Sequence, residues 1–162
     1  MDISSARPAD DIERVIHTYG NMLLRLSLAM LLNEADAEDA VQETVIRYML
    51  YAPDFKNPEY EKAWLIRVAS NICRDMLRCR KRHPAVELSE ATESMAEFPE
   101  NGALEALSTL PEKFRIVLLL HYVEGYSTAE IARVIGKSPS AVKMRLQKGR
   151  TLLEESYRKE FM

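Results

Sequence analysis

Little in this chain of 162 residues is built for tight turns, crosslinks or membranes: 5 glycines, 7 prolines, 2 cysteines and a single tryptophan. Scarce glycine and proline leave few places where a regular element must break, and no stretch alternates apolar and polar residues in the manner of a strand. The longest apolar runs, Met22 to Leu32 and Ile116 to Leu120, are too short or carry a charge at Arg25. Both fall below the roughly 18 uninterrupted residues of a membrane span. The start, Met1 to Asp11, is polar and acidic, unlike a secretory leader, and a cytoplasmic location is expected. Cys73 and Cys79 lie six apart in a helical pattern, about 120° apart around the axis, so reduced core or boundary thiols are expected. His17, His83 and His121 share no metal-ligand spacing with each other or with the cysteines, and neither a metal nor another cofactor is expected. No nucleophile and base pair or phosphate loop is visible, so an enzyme is not expected either.

Hydrophobic residues at 47% are enough for a core. The net charge of −3 conceals blocks of opposite sign. Glu34 to Glu43 holds five acids and no base, Glu61 to Arg82 seven bases and two acids, Pro84 to Glu112 seven acids and no base, and Ile131 to Arg150 six bases and no acid. Basic blocks suit phosphate, and acidic ones suit basic partners or solvent.

Ile12, Val15, Ile16, Tyr19, Leu23, Leu26 and Met30 recur at three- and four-residue steps, predicting a helix from Ala9 to Leu32. Asp36 is a candidate cap for a second helix through Val41, Val45, Tyr48 and Met49. Pro53 and Pro58 bracket a polar loop, and a third helix runs from Glu59 to Arg82 with Trp64, Leu65, Val68, Ile72 and Leu77 along one side. Trp64 reads as core because it lies in that apolar stripe. From Pro84 to Asn101 the periodicity fails and Glu, Ser, Ala and Thr dominate, as in a linker. Helical spacing resumes at Leu104, Leu107 and Leu110, Pro111 suits a helix start, and Phe114 to Val123 reads as an apolar helix ended by Gly125.

Ser127 with Glu130 three residues later is a capping box, and Gly136 can stop the short helix it opens. Ser138 and Pro139 then start a second helix whose Val142, Leu146 and Leu153 form a buried stripe. Small Ala132 at the crossing completes a helix-turn-helix pattern. Its second helix presents Ser140, Lys143, Met144, Gln147 and Lys148 outward, with Arg145 and Arg150 within reach of a backbone. Lys and Arg can donate to guanine and phosphate, and Gln can pair with adenine. An ordinary solvated basic helix is the alternative.

Three segments carry a family resemblance: Asp36 to Leu50 (DAEDAVQETVIRYML), Ala63 to Arg82 (AWLIRVASNICRDMLRCRKR) and Leu110 to Arg150. In order and spacing they resemble the extracytoplasmic-function sigma factors, the sigma-70-like proteins that have only domains two and four. The resemblance implies an all-α fold of two small helical domains, a region 2 bundle of three to four helices at 1–83 and a region 4 helix-turn-helix domain at 102–162. A flexible acidic linker at 84–101 would join them. It implies a transcription initiation factor that directs core RNA polymerase to promoters, and three sets of site residues. Asp39, Gln42, Glu43 and Met49 match the segment that grips the clamp helices of the polymerase β′ subunit, although acids near a helix N-terminus are also favoured by the helix dipole. Phe55, Lys56, Asn57, Lys62, Arg67, Asn71, Arg74 and Arg78 match the regions that open and read the −10 element. Ser127, Ser138, Ser140, Lys143, Arg145, Gln147 and Lys148 match the region that reads the −35 element, which in such factors also meets the β flap. Ser140-Ala141 replaces a frequent Gly-Thr, and Gly149 stands where alanine is usual, at a cost of about 1 kcal/mol in helix propensity. The resemblance also implies an anti-sigma partner, no small-molecule substrate, and membrane association only through that partner. The linker is equally well read as an RNA mimic in the polymerase or as a solvated spacer. A free-standing dimeric helix-turn-helix regulator is the rival reading, and an interaction protein with basic helices a third.

Overall fold

A computed structural model describes residues 7–82 and 102–161. Its elements are α1 (Ala9–Leu31), α2 (Glu34–Tyr51), α3 (Pro58–Arg82), α4 (Gly102–Ser108), α5 (Glu112–Leu118), a π-helical turn (Leu119–Val123), α6 (Thr128–Ile135) and α7 (Pro139–Phe161). Among the described residues there is no strand, as the sequence pattern requires, and no helix is long and apolar enough to cross a membrane. The expected linker, 84–101, lies outside the described residues.

α1 to α3 pack as a bundle on Val15, Leu23, Leu26, Tyr48, Leu65, Ile66 and Ala69, all at most 1% exposed. The second half packs α5, α6 and α7 on Val117, Leu120, Ile131, Val142 and Leu146. These apolar side chains belong to one continuous core, because α1 also meets α5 and α3 meets α6.

The end of α1 shows how the halves join. Its last turn carries no basic residue, so the carbonyls that lack an intrahelical donor need partners from elsewhere. Arg80 of α3 donates to Leu31 O at 2.9 Å, and Arg115 of α5 donates to Met30 O at 2.7 Å and also to Ala29 O. Arg115 is 6% exposed and gives its remaining hydrogen bond to Leu110 O at 2.6 Å. All of these acceptors are carbonyls rather than carboxylates, and burial pushes its guanidinium below the usual arginine range. Leu32 then turns the chain in the left-handed region, φ 55°, uncommon for a branched side chain. Asn33 follows immediately, and its side chain accepts from Asp36 N at 2.9 Å. The cap of α2 is therefore Asn33, not Asp36; Asp36 sits in the first turn and is held instead by Arg80 at 2.6 Å.

The expected single helix from Phe114 to Val123 is instead α5 followed by the π turn, with Glu124 N bonded to Leu119 O and Tyr126 N to Leu120 O. A π turn widens the helix, and such turns are frequent at functional sites. Gly125 supplies the left-handed residue that ends it, φ 73°. The capping box of Ser127 and Glu130 is formed in both directions, and Gly136 is left-handed, φ 72°. Ser138 Oγ accepts from Ala141 N at 3.1 Å, opening α7 at Pro139.

Gly149 is explained by the crossing of α7 over α5. A Cβ there would stand 3.1 Å from Leu118 Cδ1 and 3.3 Å from Leu118 Cγ, and Leu118 is only 3% exposed. Alanine would gain about 1 kcal/mol in helix propensity but oblige the buried Leu118 side chain to give way slightly, and overpacking of this kind costs about 1 to 3 kcal/mol. Gly149→Ala is expected to lower the melting temperature slightly and Gly149→Val to lower it markedly, as read by circular dichroism.

Candidate nucleic-acid interface

The exposed face of α7 carries Ser140, Lys143, Met144, Gln147 and Lys148, with Arg145 half-buried beside them. Val142 and Leu146, at 0% and 3% exposure, turn the opposite face inward and so fix which side chains point out. The helix is one uninterrupted element supported by α5 and α6, so its polar face is rigidly presented. Ser127 and Ser138 are exposed, but their hydroxyls already accept from backbone N–H groups as caps. Arg150 donates to Tyr122 OH at 2.9 Å.

A second surface lies on α3 and the loop before it. Lys56, Asn57, Arg67, Asn71 and Arg78 are exposed or nearly so, and Lys62 and Arg74 half-buried. Asn57 Oδ1 accepts from Tyr60 N at 3.1 Å, which makes it the cap of α3, and Asn71 Oδ1 accepts from Arg74 at 3.2 Å. Phe55 is turned inward: it stacks on Tyr48 at 6.3 Å and meets Trp64 edge-on at 6.0 Å. Its side chain is half-buried there. Trp64 is half-buried in the same aromatic group. Arg78 pairs with Asp75 one turn away at 3.1 Å. The third surface is α2, where Asp39 is exposed and Gln42, Glu43 and Met49 line the same helix. Glu43 is bonded to Arg47 at 3.1 Å. Cys73 is buried and its thiol is pushed up to about 11 by burial; Cys79 is exposed, and neither is bonded to another cysteine.

Beneath the loop lies a polar network that sequence spacing did not reveal. Arg14 holds Glu61 through two hydrogen bonds, 2.9 and 2.8 Å, and Tyr48 OH donates to Glu61 at 2.7 Å. Asp11 joins through Arg7 at 2.9 Å and Arg14 at 2.9 Å. Arg7 lies over the Tyr48 ring at 4.7 Å and donates to the Ala52 and Pro53 carbonyls, so the loop is tethered to the start of α1. The hydrogen bonds from Arg14 hold the Glu61 carboxyl below its usual value. Burial pushes Asp11 up, but hydrogen bonds from Arg14, Arg7 and Tyr48 outweigh it and leave it lowered. The bonds that Glu61 makes join residues 13 and 47 apart in the chain, so no local motif marks them. The only visible signal was an acid, Glu61, standing on the apolar side of the third helix.

Glu124 is the other residue the sequence pattern passed over. The π turn brings its carboxylate between the halves, where Arg25 of α1 donates to it twice, at 3.2 and 2.8 Å, and Lys62 of α3 approaches to 3.8 Å.

Comparison with known proteins decides between the readings. Residues 15–83 match the family model described as Sigma-70 region 2, and residues 101–153 match Sigma-70, region 4, together about three-quarters of the chain. The chain belongs to the sigma-70 family, in its extracytoplasmic-function group. This factor is 28% identical over 168 residues to the ECF RNA polymerase sigma factor SigW of Bacillus subtilis, covering 92% of this chain and 90% of that one. It is 28% identical to a protein described as "Probable RNA polymerase sigma factor RfaY" of Xanthomonas campestris, covering 91% of this chain but only 40% of that longer one. Its fold is similar to that of the sigma factor RpoE of Bartonella quintana, solved in complex with the anti-sigma factor NepR. The TM-score is 0.74 at 20% identity, over 93% of this chain and 98% of that one.

The network carries a pH dependence. Glu61 has a lowered value in the folded chain, so its stabilisation is present above the ordinary carboxylate value of 4.5 and is lost as the pH falls through the depressed one. Glu61→Gln is expected to cost about 1 to 2 kcal/mol at pH 7. Its melting temperature should also fall less steeply than that of the unsubstituted chain below pH 4.5, in thermal melts across pH.

Proposed function

We propose that the factor binds core RNA polymerase and directs it to specific promoters, without catalysing a reaction itself. The observation that carries this reading is that one chain presents an acidic α2 face, a basic α3 face and an open, capped helix-turn-helix in family order. α2 is the polymerase-facing element, with Asp39, Gln42, Glu43 and Met49 meeting the β′ clamp helices; region 4 meets the β flap.

Lys56, Asn57, Lys62, Arg67, Asn71, Arg74 and Arg78 serve the −10 element: the bases of α3 hold the backbone, and Asn71 offers a polar edge to a base. Ser140, Lys143, Arg145, Gln147 and Lys148 of α7 serve the −35 element as duplex, where Lys and Gln can donate to base edges. The factor would work in the cytoplasm, and by analogy with the RpoE complex it would be restrained by an anti-sigma protein. The free-standing regulator reading gives the acidic face of α2 no task.

The test is run-off transcription from a random promoter library with core polymerase and the purified chain. Enrichment of a promoter with two separated elements is expected, and absence of core binding would refute the reading. On a promoter so selected, Lys143→Ala with Lys148→Ala should weaken holoenzyme binding at least tenfold. If both lysines meet phosphates, the salt slope should fall by about 0.9 for each phosphate no longer neutralised. Intact binding would exclude α7 as the reading helix.

A further inference from the structure

The loop between α2 and α3 is held by a residue from outside it. The last turn of α2 carries no base of its own, so donors for its end come from elsewhere. Arg7 supplies them: its backbone N–H donates to Met49 O at 3.1 Å, and its guanidinium donates to Ala52 O at 3.3 Å and to Pro53 O. Asp54 stands 3.8 Å away. The Arg7 side chain is 18% exposed, with Asp11 accepting from it at 2.9 Å and the ring centres of Tyr48 and Phe55 at 4.7 and 5.7 Å from its guanidinium carbon. A guanidinium so enclosed is fixed in direction, unlike one in a surface ion pair.

The next polar residues of the loop are Lys56 and Asn57. Asn57 closes the far end, accepting from Tyr60 N as the cap of α3. The loop thus runs between two anchors, the Arg7 clasp and the first turn of α3. Pro53 stiffens only its own φ and has no N–H with which to anchor itself.

We propose that Arg7 is a positioning residue for recognition of the −10 element. It acts through the loop: by holding the Ala52 and Pro53 carbonyls it presents Lys56 and Asn57 already in place to the unpaired strand. This rests on the reading of the loop and α3 as the −10 surface. Arg7 precedes residue 15, where the match to Sigma-70 region 2 begins, so its role belongs to this chain rather than to the matched segment.

Pre-organisation is the physical reason. A loop that is free in the unbound chain must be ordered when a strand binds, and that ordering subtracts from the affinity. With the clasp closed, the ordering has already occurred during folding. The faces on α7 and α2 do not share this dependence. α7 is supported by α5 and α6, and the Met49 carbonyl is bonded by the backbone of Arg7, which a side-chain substitution leaves in place.

The test uses the full chain, alone and with core polymerase, on the promoter selected as described above. Trp64 is the single tryptophan of the sequence and lies 6.0 Å from the Phe55 ring, so its fluorescence reports the loop. Permanganate reactivity of unpaired thymines reports opening of the −10 element.

Arg7→Met should make Trp64 more accessible to acrylamide quenching and lower the opening at least fivefold. Core binding, and binding to a duplex that carries the −35 element alone, should stay within twofold. Arg7→Lys keeps a charge beside Asp11 but loses the planar fork that reaches the loop carbonyls, so it should open the promoter at least twofold less well. Because Lys is the milder change, it keeps the test valid if Arg7→Met does not fold. Ile72→Val, which truncates a buried residue elsewhere on α3, is the control for lost stability and should leave both quenching and opening unchanged. Unchanged opening in either folded Arg7 variant would overturn the proposal. So would a loss shared equally by core binding and −35 binding, or one matched by Ile72→Val. Failure of the initiation-factor reading appears differently, as absence of core binding by the unsubstituted chain, whereas the quenching of Trp64 is read without polymerase.

Discussion

The C-terminal end of α1 is the point on which the rest of the structure depends. A helix end leaves carbonyl oxygens without donors, and α1 has no base of its own in its last turn. Arginines from two other helices fill the gap: Arg80 brings the end of α3 back to the start of α2, and Arg115 brings the second half onto the first. The negative end of the helix dipole favours both. Breaking either interaction would strand buried carbonyls, and withdrawing Arg115 returns its guanidinium to water.

The first half has a second polar centre at its other end. Arg7, Asp11, Arg14, Tyr48 and Glu61 link α1, α2 and α3, and Arg7 ties in the loop that leads into the basic face of α3. Networks of this kind favour one arrangement among several compact ones, because another would leave the buried Glu61 carboxylate unpaired. Arg7 and Asp11 lie before the segment that matches the Sigma-70 region 2 model. The loop of this factor is therefore held partly by residues outside the shared family core.

Much of the fold was legible residue by residue. Ser127 with Glu130, Gly136, and Ser138 with Pro139 announced the helix-turn-helix, because capping depends on residues only three or four apart. Asn33 was passed over for Asp36: both are good caps, and which one takes the role depends on where Leu32 turns the chain. The π turn at Leu119–Val123 was not legible, since an apolar helical run looks the same in either winding. Gly149 looked like a defect in α7, and the close approach of Leu118 gives it a packing reason.

What the sequence by itself determined is what local chemistry and periodicity control: all helices, their caps, the polar face of α7, and a family order that identifies the chain as a sigma factor. Tertiary structure alone decided which charges meet. Glu124 pairs with Arg25, 99 residues away, and Arg115 reaches Ala29 across 86. Phe55 meets Tyr48 and Trp64 from different elements of the first half. The physical reason is that pairing of charges and stacking of rings depend on distance in space. Sequence spacing reports distance only within an element, and the meeting of one helix end with a distant arginine leaves no local mark.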